Sequence, residues 1–194
     1  MKLEEMLYTF FAKDGTLIGV RHMRFDDAVY LVDIFENMGA DSRYQRYHQS
    51  IDHVNAGRIW QEAETIAHMD AKKQAGLIAF ADLPDKPNAP VGAARYICIG
   101  DGRADTGISV RDDMQGQGIG TELLALLVEE ARENGIQKLV ADVLNSNKGI
   151  MGILQKLPYE MTRQPEGVYS TLTIHWDRLK EGERRRETAV TSGR

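Results

Sequence analysis

The sequence predicts a mixed α+β or α/β domain, on three observations. Apolar residues recur at helical spacing in some segments and form short strand-like runs in others. Asp-Gly and Gly-Asp-Gly turns separate pairs of such runs, the mark of antiparallel hairpins. One further run leads into a glycine-rich opening of a long amphipathic helix, and another strand follows it. Of the 194 residues, 42% are hydrophobic and 27% charged, which is enough apolar material for one packed core.

Residues 7–12 and 16–23 are strand-like and flank Lys13-Asp14-Gly15, where glycine readily takes positive φ. Asp26 and Asp27 then open a helix with Ala28, Leu31, Val32 and Phe35 on one face, and Gly39 closes it. Residues 41–48 are polar and aromatic, and fit a short helix or a loop. Residues 51–69 read as helical and 76–81 as a strand. The stretch 83–90 holds Pro84, Pro87 and Pro90 and is expected to be a turn or loop. Residues 91–99 and 105–110 form a hairpin across Gly100-Asp101-Gly102. In residues 121–133, Leu123, Leu124, Leu127, Val128 and Ala131 share one helix side, and Asn134-Gly135 is a C-terminal stop. A strand over 138–144, a helix over 148–157 ended by Pro158, and a strand over 168–176 complete the domain. From about Arg178 the chain is charged and polar and reads as a disordered tail.

Several function classes are excluded or disfavoured. Lys and Arg total 24 against 29 for Asp and Glu, a net charge of -5, which argues against a nucleic-acid partner held by phosphate contacts. The single cysteine, Cys98, excludes an intrachain disulfide, and no Cys/His cluster suggests a metal site. No apolar run approaches a membrane span, and the acidic start lacks a signal-peptide core. A cytoplasmic protein with no membrane or nucleic-acid partner is expected. Edge strands leave pairing into a homodimer open.

The informative segment runs from Ile108 through Ser109, Val110 and Gln115 to Gly116-Gln117-Gly118-Ile119-Gly120-Thr121. The first turn of a helix carries unpaired N–H groups and the positive end of the dipole, and glycines let an anion approach them. A Walker loop needs a lysine that is missing here, and a dinucleotide fingerprint needs a different glycine spacing. The pattern Q/R-x-x-G-x-G/A, a coenzyme A pyrophosphate loop, fits without adjustment.

From about Val20 to Trp176 the chain resembles the GNAT superfamily of N-acyltransferases. Within it, residues 20–28, 41–47 and 110–116 are most similar to the catalytic domain of Pat-type protein lysine acetyltransferases. The resemblance implies a mostly antiparallel, splayed central sheet flanked by helices, with residues 1–177 as a single N-acetyltransferase domain and 178–194 as the tail. It implies acetyl-CoA as co-substrate and no metal. The amides of Gln115, Gly116, Gln117, Gly118, Ile119, Gly120 and Thr121 would bind the pyrophosphate. The main chain of Ile108, Ser109 and Val110 would pair with the pantetheine as an added strand. The Val110 N–H would polarise the thioester carbonyl, worth about 3 kcal/mol for one good donor.

Asp105 aligns with the glutamate that many family members use as base, one methylene shorter; its plain alternative is a solvated hairpin carboxylate. Asn147 matches the asparagine that contacts the pantetheine arm, with a helix N-cap as the alternative. The family's acid tyrosine is replaced by Leu154, which cannot donate a proton, and Tyr159 is a weak substitute. Arg43 and Arg46, with Tyr44 and Tyr47, fit either an acidic group on the substrate or packing on the sheet. The expected activity is acetyl transfer to a primary amine, on a protein lysine or a small molecule, by direct attack in a ternary complex. The rival reading is an acyl-CoA-binding sensor weakened in catalysis.

Overall fold

The computed structural model describes residues 3–48, 55–68, 70 and 73–179. Eight strands form one sheet: β1 (Tyr8–Phe11), β2 (Leu17–His22), β3 (Gln74–Leu83), β4 (Lys86–Gly100), β5 (Arg103–Val110), β6 (Lys138–Leu144), β7 (Tyr159–Glu166) and β8 (Tyr169–Leu179). The order across the sheet is β1-β2-β3-β4-β5-β6-β8-β7. Every neighbouring pair is antiparallel except β5–β6. Among the described residues five α-helices accompany it: α1 (Ala28–Glu36), α2 (Ala40–Tyr47), α3 (Ala56–Ala67), α4 (Ile119–Glu133) and α5 (Lys148–Lys156). A parallel pair needs a crossover, and α4 supplies it between β5 and β6.

The sheet is covered on both faces. On one, Leu123, Leu127 and Val128 of α4 pack on Leu77, Ala79, Ala94, Tyr96 and Leu139, with Leu154 of α5 in the same cluster. On the other, Ile34 and Met38 meet Ile66 of α3 over Ile78, Phe80 and Ala93. Alternate residues of β3 thus serve opposite cores, as the two-residue period of a strand requires. This accounts for the nearly unbroken apolar run in β3.

One expectation is corrected, and two features carry no sequence expectation. Only Pro84 and Asp85 of the stretch 83–90 form the expected turn: β3 runs to Leu83, and β4 starts at Lys86 and contains Pro87 and Pro90. Prolines survive there because β5 ends at Val110 opposite Gly92, so this part of β4 has no strand on that side. Register shifts after Ala79 and Ala81 also loosen its pairing to β3. Residues 159–166, left unassigned by periodicity, form the edge strand β7. Asp27 opens α1 as expected, standing at its N-cap, though its side chain makes no capping hydrogen bond. Its carboxylate is 1% exposed and accepts from Arg21 Nη1 at 2.6 Å, Arg21 Nη2 at 2.8 Å and the Arg24 N–H at 2.6 Å. The expected helix over 51–69 is α3, with 51–54 and 69 outside the described residues, as are 180–194 of the tail. Residues 41–48 resolve into helix α2, with His48 at its C-cap.

Candidate active site

β5 has two unlike edges. Toward β4 it pairs from Arg103 to Val110. Toward β6 only three pairs form, Arg103–Lys138, Ala104–Leu139 and Asp105–Val140. Beyond Asp105 the two strands part and leave a cleft of about 330 Å³. Its walls are Thr106 to Val110 of β5, Val140 to Val143 of β6, and Ile150, Ile153 and Leu154 of α5. The Arg111 N–H donates to the Val91 carbonyl at 3.1 Å, in step with the Ala93–Ser109 pair. By the alternation of an antiparallel ladder, Ser109 and Gly107 bond to β4, and the main-chain groups of Ile108 and Val110 turn toward the cleft. The Val110 carbonyl accepts from Gln115 Nε2 at 3.2 Å, and its N–H faces away from β4 with no acceptor among the described residues.

The cleft leads into the glycine loop. Gly116 (φ 75°) and Gly118 (φ 97°) lie in the left-handed region, and a Cβ on either would meet nothing within 4 Å. The space in front of the loop is therefore open, and the conformation calls for glycine. Two of the expected amides are already engaged: Gln115 N–H with the Asp112 carbonyl at 3.2 Å and Thr121 N–H with the Gly118 carbonyl at 3.0 Å. Among the described residues, the N–H groups of 116–120 have no acceptor, and they precede the positive end of α4. This is a ready anion cradle for a diphosphate. The Gln115 side chain holds the loop's shape, donating to Ser42 Oγ at 3.1 Å and Asp112 Oδ1 at 3.0 Å.

Neighbouring segments brace the loop. The Gly39 N–H donates to Asp112 Oδ2 at 2.9 Å, and Arg111, 7% exposed, binds Asp113 and Asn37. The hairpin before β2 delivers Lys13, whose N–H donates to the Gln117 carbonyl at 3.1 Å and whose residue lines the cleft. Sequence reading missed Lys13, because 104 positions separate it from its partner and no local pattern links them.

Asp105 stands where β5 and β6 part, on the face shared with α2 and opposite the buried Ala104. Burial by its surroundings pushes its carboxyl above the usual carboxylate range, while Arg46 and Arg95 pull it back down. One side of the residue remains open to solvent. Asp105 itself does not line the cleft, so a proton passing between the two would need a relaying water. Asn147 Oδ1 accepts from the Ile150 N–H at 3.0 Å, so it is the N-cap of α5, and the residue also lines the cleft. Leu154 is 3% exposed and packs in the core at the cleft wall. Tyr159 is turned away: its hydroxyl donates to Glu129 Oε1 at 2.8 Å and does not line the cleft, so it is no substitute acid.

The two arginines separate. Arg43 lies over the Phe35 ring at 4.3 Å and donates to the Phe35 carbonyl, so it packs helix to helix and does not line the cleft. Arg46 reaches the cleft beside Gly107. No group of three or more His, Cys, Asp or Glu residues is placed to hold a metal among the described residues. Nor is any described helix long and apolar enough to cross a membrane.

Comparison with known proteins agrees with this geometry. Residues 18–160 match the family described as an acetyltransferase (GNAT) domain. An L-methionine sulfoximine/L-methionine sulfone acetyltransferase of Pseudomonas paraeruginosa is 30% identical over 123 residues, 57% of this chain and 69% of the relative. The L-amino acid N-acyltransferase MnaT of Escherichia coli is 27% identical over 156 residues, covering 76% and 82%. The crystal structure of the GNAT domain of S. lividans PAT superposes with a TM-score of 0.73 and 25% identity, covering 87% of this chain and 96% of that one.

Proposed function

The chain belongs to the GNAT acetyltransferase family, and on that premise we propose that it transfers an acetyl group from acetyl-CoA to a primary amine by direct attack in a ternary complex. The observation that carries this reading is the open edge of β5 and, one short 3-10 turn further on, five loop amides without an acceptor among the described residues, both on the same cleft. A strand edge and an anion cradle in line match an extended carrier that ends in a diphosphate. Acetyl-CoA supplies the acetyl group already activated as a thioester.

The chain's own residues do the rest. The N–H groups of 116–120 hold the diphosphate, with Lys13 adding charge beside them. Ile108 and Val110 present main-chain groups to the pantetheine, and the Val110 N–H polarises the acyl carbonyl. Asp105 takes the proton that the ammonium form of the acceptor must lose, through water, since an amine near pKa ~10.4 is protonated at pH 7. The amine nitrogen then bonds to the carbonyl carbon, the nitrogen gives its surplus proton to water, the carbon–sulfur bond breaks, and CoA leaves as thiolate. A thiolate is stable enough to leave without an acid, which fits a leucine at position 154.

The acceptor is a protein lysine or a small-molecule amine. The two relatives whose printed names specify amino-acid acceptors support the second. The test is release of free CoA thiol when the protein is mixed with acetyl-CoA and a panel of amines. Amine-dependent release is expected. Saturable CoA binding with no release from any amine would replace this reading with the sensor.

A further inference from the structure

Gly107 sits mid-strand in β5, directly opposite Arg95 of β4. A Cβ there would fall 2.6 Å from Cζ of Arg46 and 2.9 Å from its Nη1. The missing side chain is thus the seat on which the Arg46 guanidinium rests, a common reason for glycine inside a strand. Because Arg95 faces Gly107 in register, the seat brings two guanidiniums together on the acceptor side of the sheet. Both arginines are half-buried. Neither forms an ion pair among the described residues. Glu62 and Asp105 are near enough to raise the Arg95 pKa, but neither contacts it in an ion pair among the described residues. Burial and then the neighbouring Arg46 depress the Arg95 pKa below the usual arginine value, the sign of a cation short of a contacting anion.

Behind the pair lies an apolar pocket of about 40 Å³, lined by Met23, Ile34, Phe35, Met38, Ile66 and Ala93. That is room for a few heavy atoms, since one water needs about 10–15 Å³ on such a measure. The pocket meets the main cleft at Arg46, Gly107 and Ser109. Overhead, α2 ends at His48, whose ring lies 4.9 Å from that of Tyr169 across the parting of the strands. A free small molecule passes under such a bridge more readily than a folded protein surface.

We infer that Arg46, seated on Gly107, and Arg95 form an anion subsite that selects the acceptor: a free α-amino acid with a short apolar side chain, its carboxylate gripped by the two guanidiniums. The side chain enters the apolar pocket, and the amine is directed toward the parting of β5 and β6, where Asp105 stands. A planar guanidinium pair matches a carboxylate by parallel N–H donors, which a lysine pair would not. This inference rests on the reading of the cleft as an amine acetylation site.

The test uses the full chain loaded with CoA. Calorimetry compares L-norleucine with norleucine amide, which has the same amine and side chain and no carboxylate. At least tenfold tighter binding of the acid is expected. Arg95→Gln should erase that preference. Gly107→Ala should do the same by displacing only the flexible end of Arg46, so a folding failure of the first variant does not spoil the test; Arg95→Lys should restore part of the preference. Equal binding of acid and amide by the native protein, or a preference untouched by both variants, would overturn the subsite. Tighter binding of an acidic lysine peptide than of norleucine would overturn its assignment to a free amino acid. Thiol release is read separately: selective binding without release keeps the subsite and removes the transferase reading, while release that ignores the carboxylate does the reverse.

Discussion

The two edges of β5 follow opposite rules within one strand. Toward β4, eight residues from Arg103 to Val110 lie in register, and the main-chain groups that point that way, those of Gly107 and Ser109 among them, are spent on the sheet. Toward β6, pairing stops after Asp105, and the main chain of Ile108 and Val110 is left for something else. The flanking side chains differ as well. The sealed side adjoins small buried residues, Ala93 and Ala94, whereas the open side faces a polar and apolar cleft. Stability is built where backbone groups find each other, and binding capacity where the fold declines to pair them. Strand β6 stays anchored beyond the parting, because β8 bonds to its other edge from Leu139 to Leu144.

Proline substitution separates the two edges most sharply. Ser109→Pro removes a ladder N–H on the sealed side and should destabilise the protein by about 3 kcal/mol or more, as read by chemical denaturation. Val110→Pro removes an N–H that points to the cleft, so it should leave the fold intact and cut turnover about a hundredfold. Equal loss of stability from both would break the comparison.

A charge at the loop comes next in size. Gly118 has positive φ and open space, and Asp and Asn are the side chains that tolerate that backbone best. Gly118→Asp should weaken CoA binding about a thousandfold, because a carboxylate about 4 Å from a diphosphate costs roughly 4 kcal/mol at an effective dielectric of about 20. Gly118→Asn, of the same shape and neutral, should weaken it by less than about tenfold. Similar Kd values for the two variants in calorimetry would show that the loop does not meet an anion.

Asp105→Asn is expected to lower the rate about a hundredfold near neutrality, with CoA affinity unchanged. The loss should shrink as the pH approaches the acceptor's own amine pKa, where no base is needed. The same variant should raise the melting temperature slightly at pH 7. Burial raises the Asp105 pKa in the folded state, so this group favours folding below the unfolded carboxylate pKa and loses that contribution as pH rises through the folded value. The gain in the variant should therefore vanish in acid.

The parts of this architecture legible in sequence are those written locally. Asp14-Gly15 specified a hairpin, the spacing from Leu123 to Ala131 specified α4, and Gly116 and Gly118 stand where positive φ is required. What depends on a distant neighbour was not legible. Pro87 and Pro90 looked like loop residues because their tolerance in β4 depends on where β5 stops. The buried pairing of Asp27 was not legible because its partner, Arg21, lies on another element. Arg43 and Arg46 could not be told apart until Phe35 claimed one and Gly107 made room for the other. Arg95 carried no signal, since its meaning depends on a glycine twelve positions away in the next strand.

The most direct measurement is a backbone amide NMR titration of the full chain with CoA. The account predicts large shifts at residues 116–120 and at Ile108 and Val110, with the alternating Gly107 and Ser109 amides, held by β4, moving little. Shifts confined to other segments, or alike on both edges of β5, would contradict it.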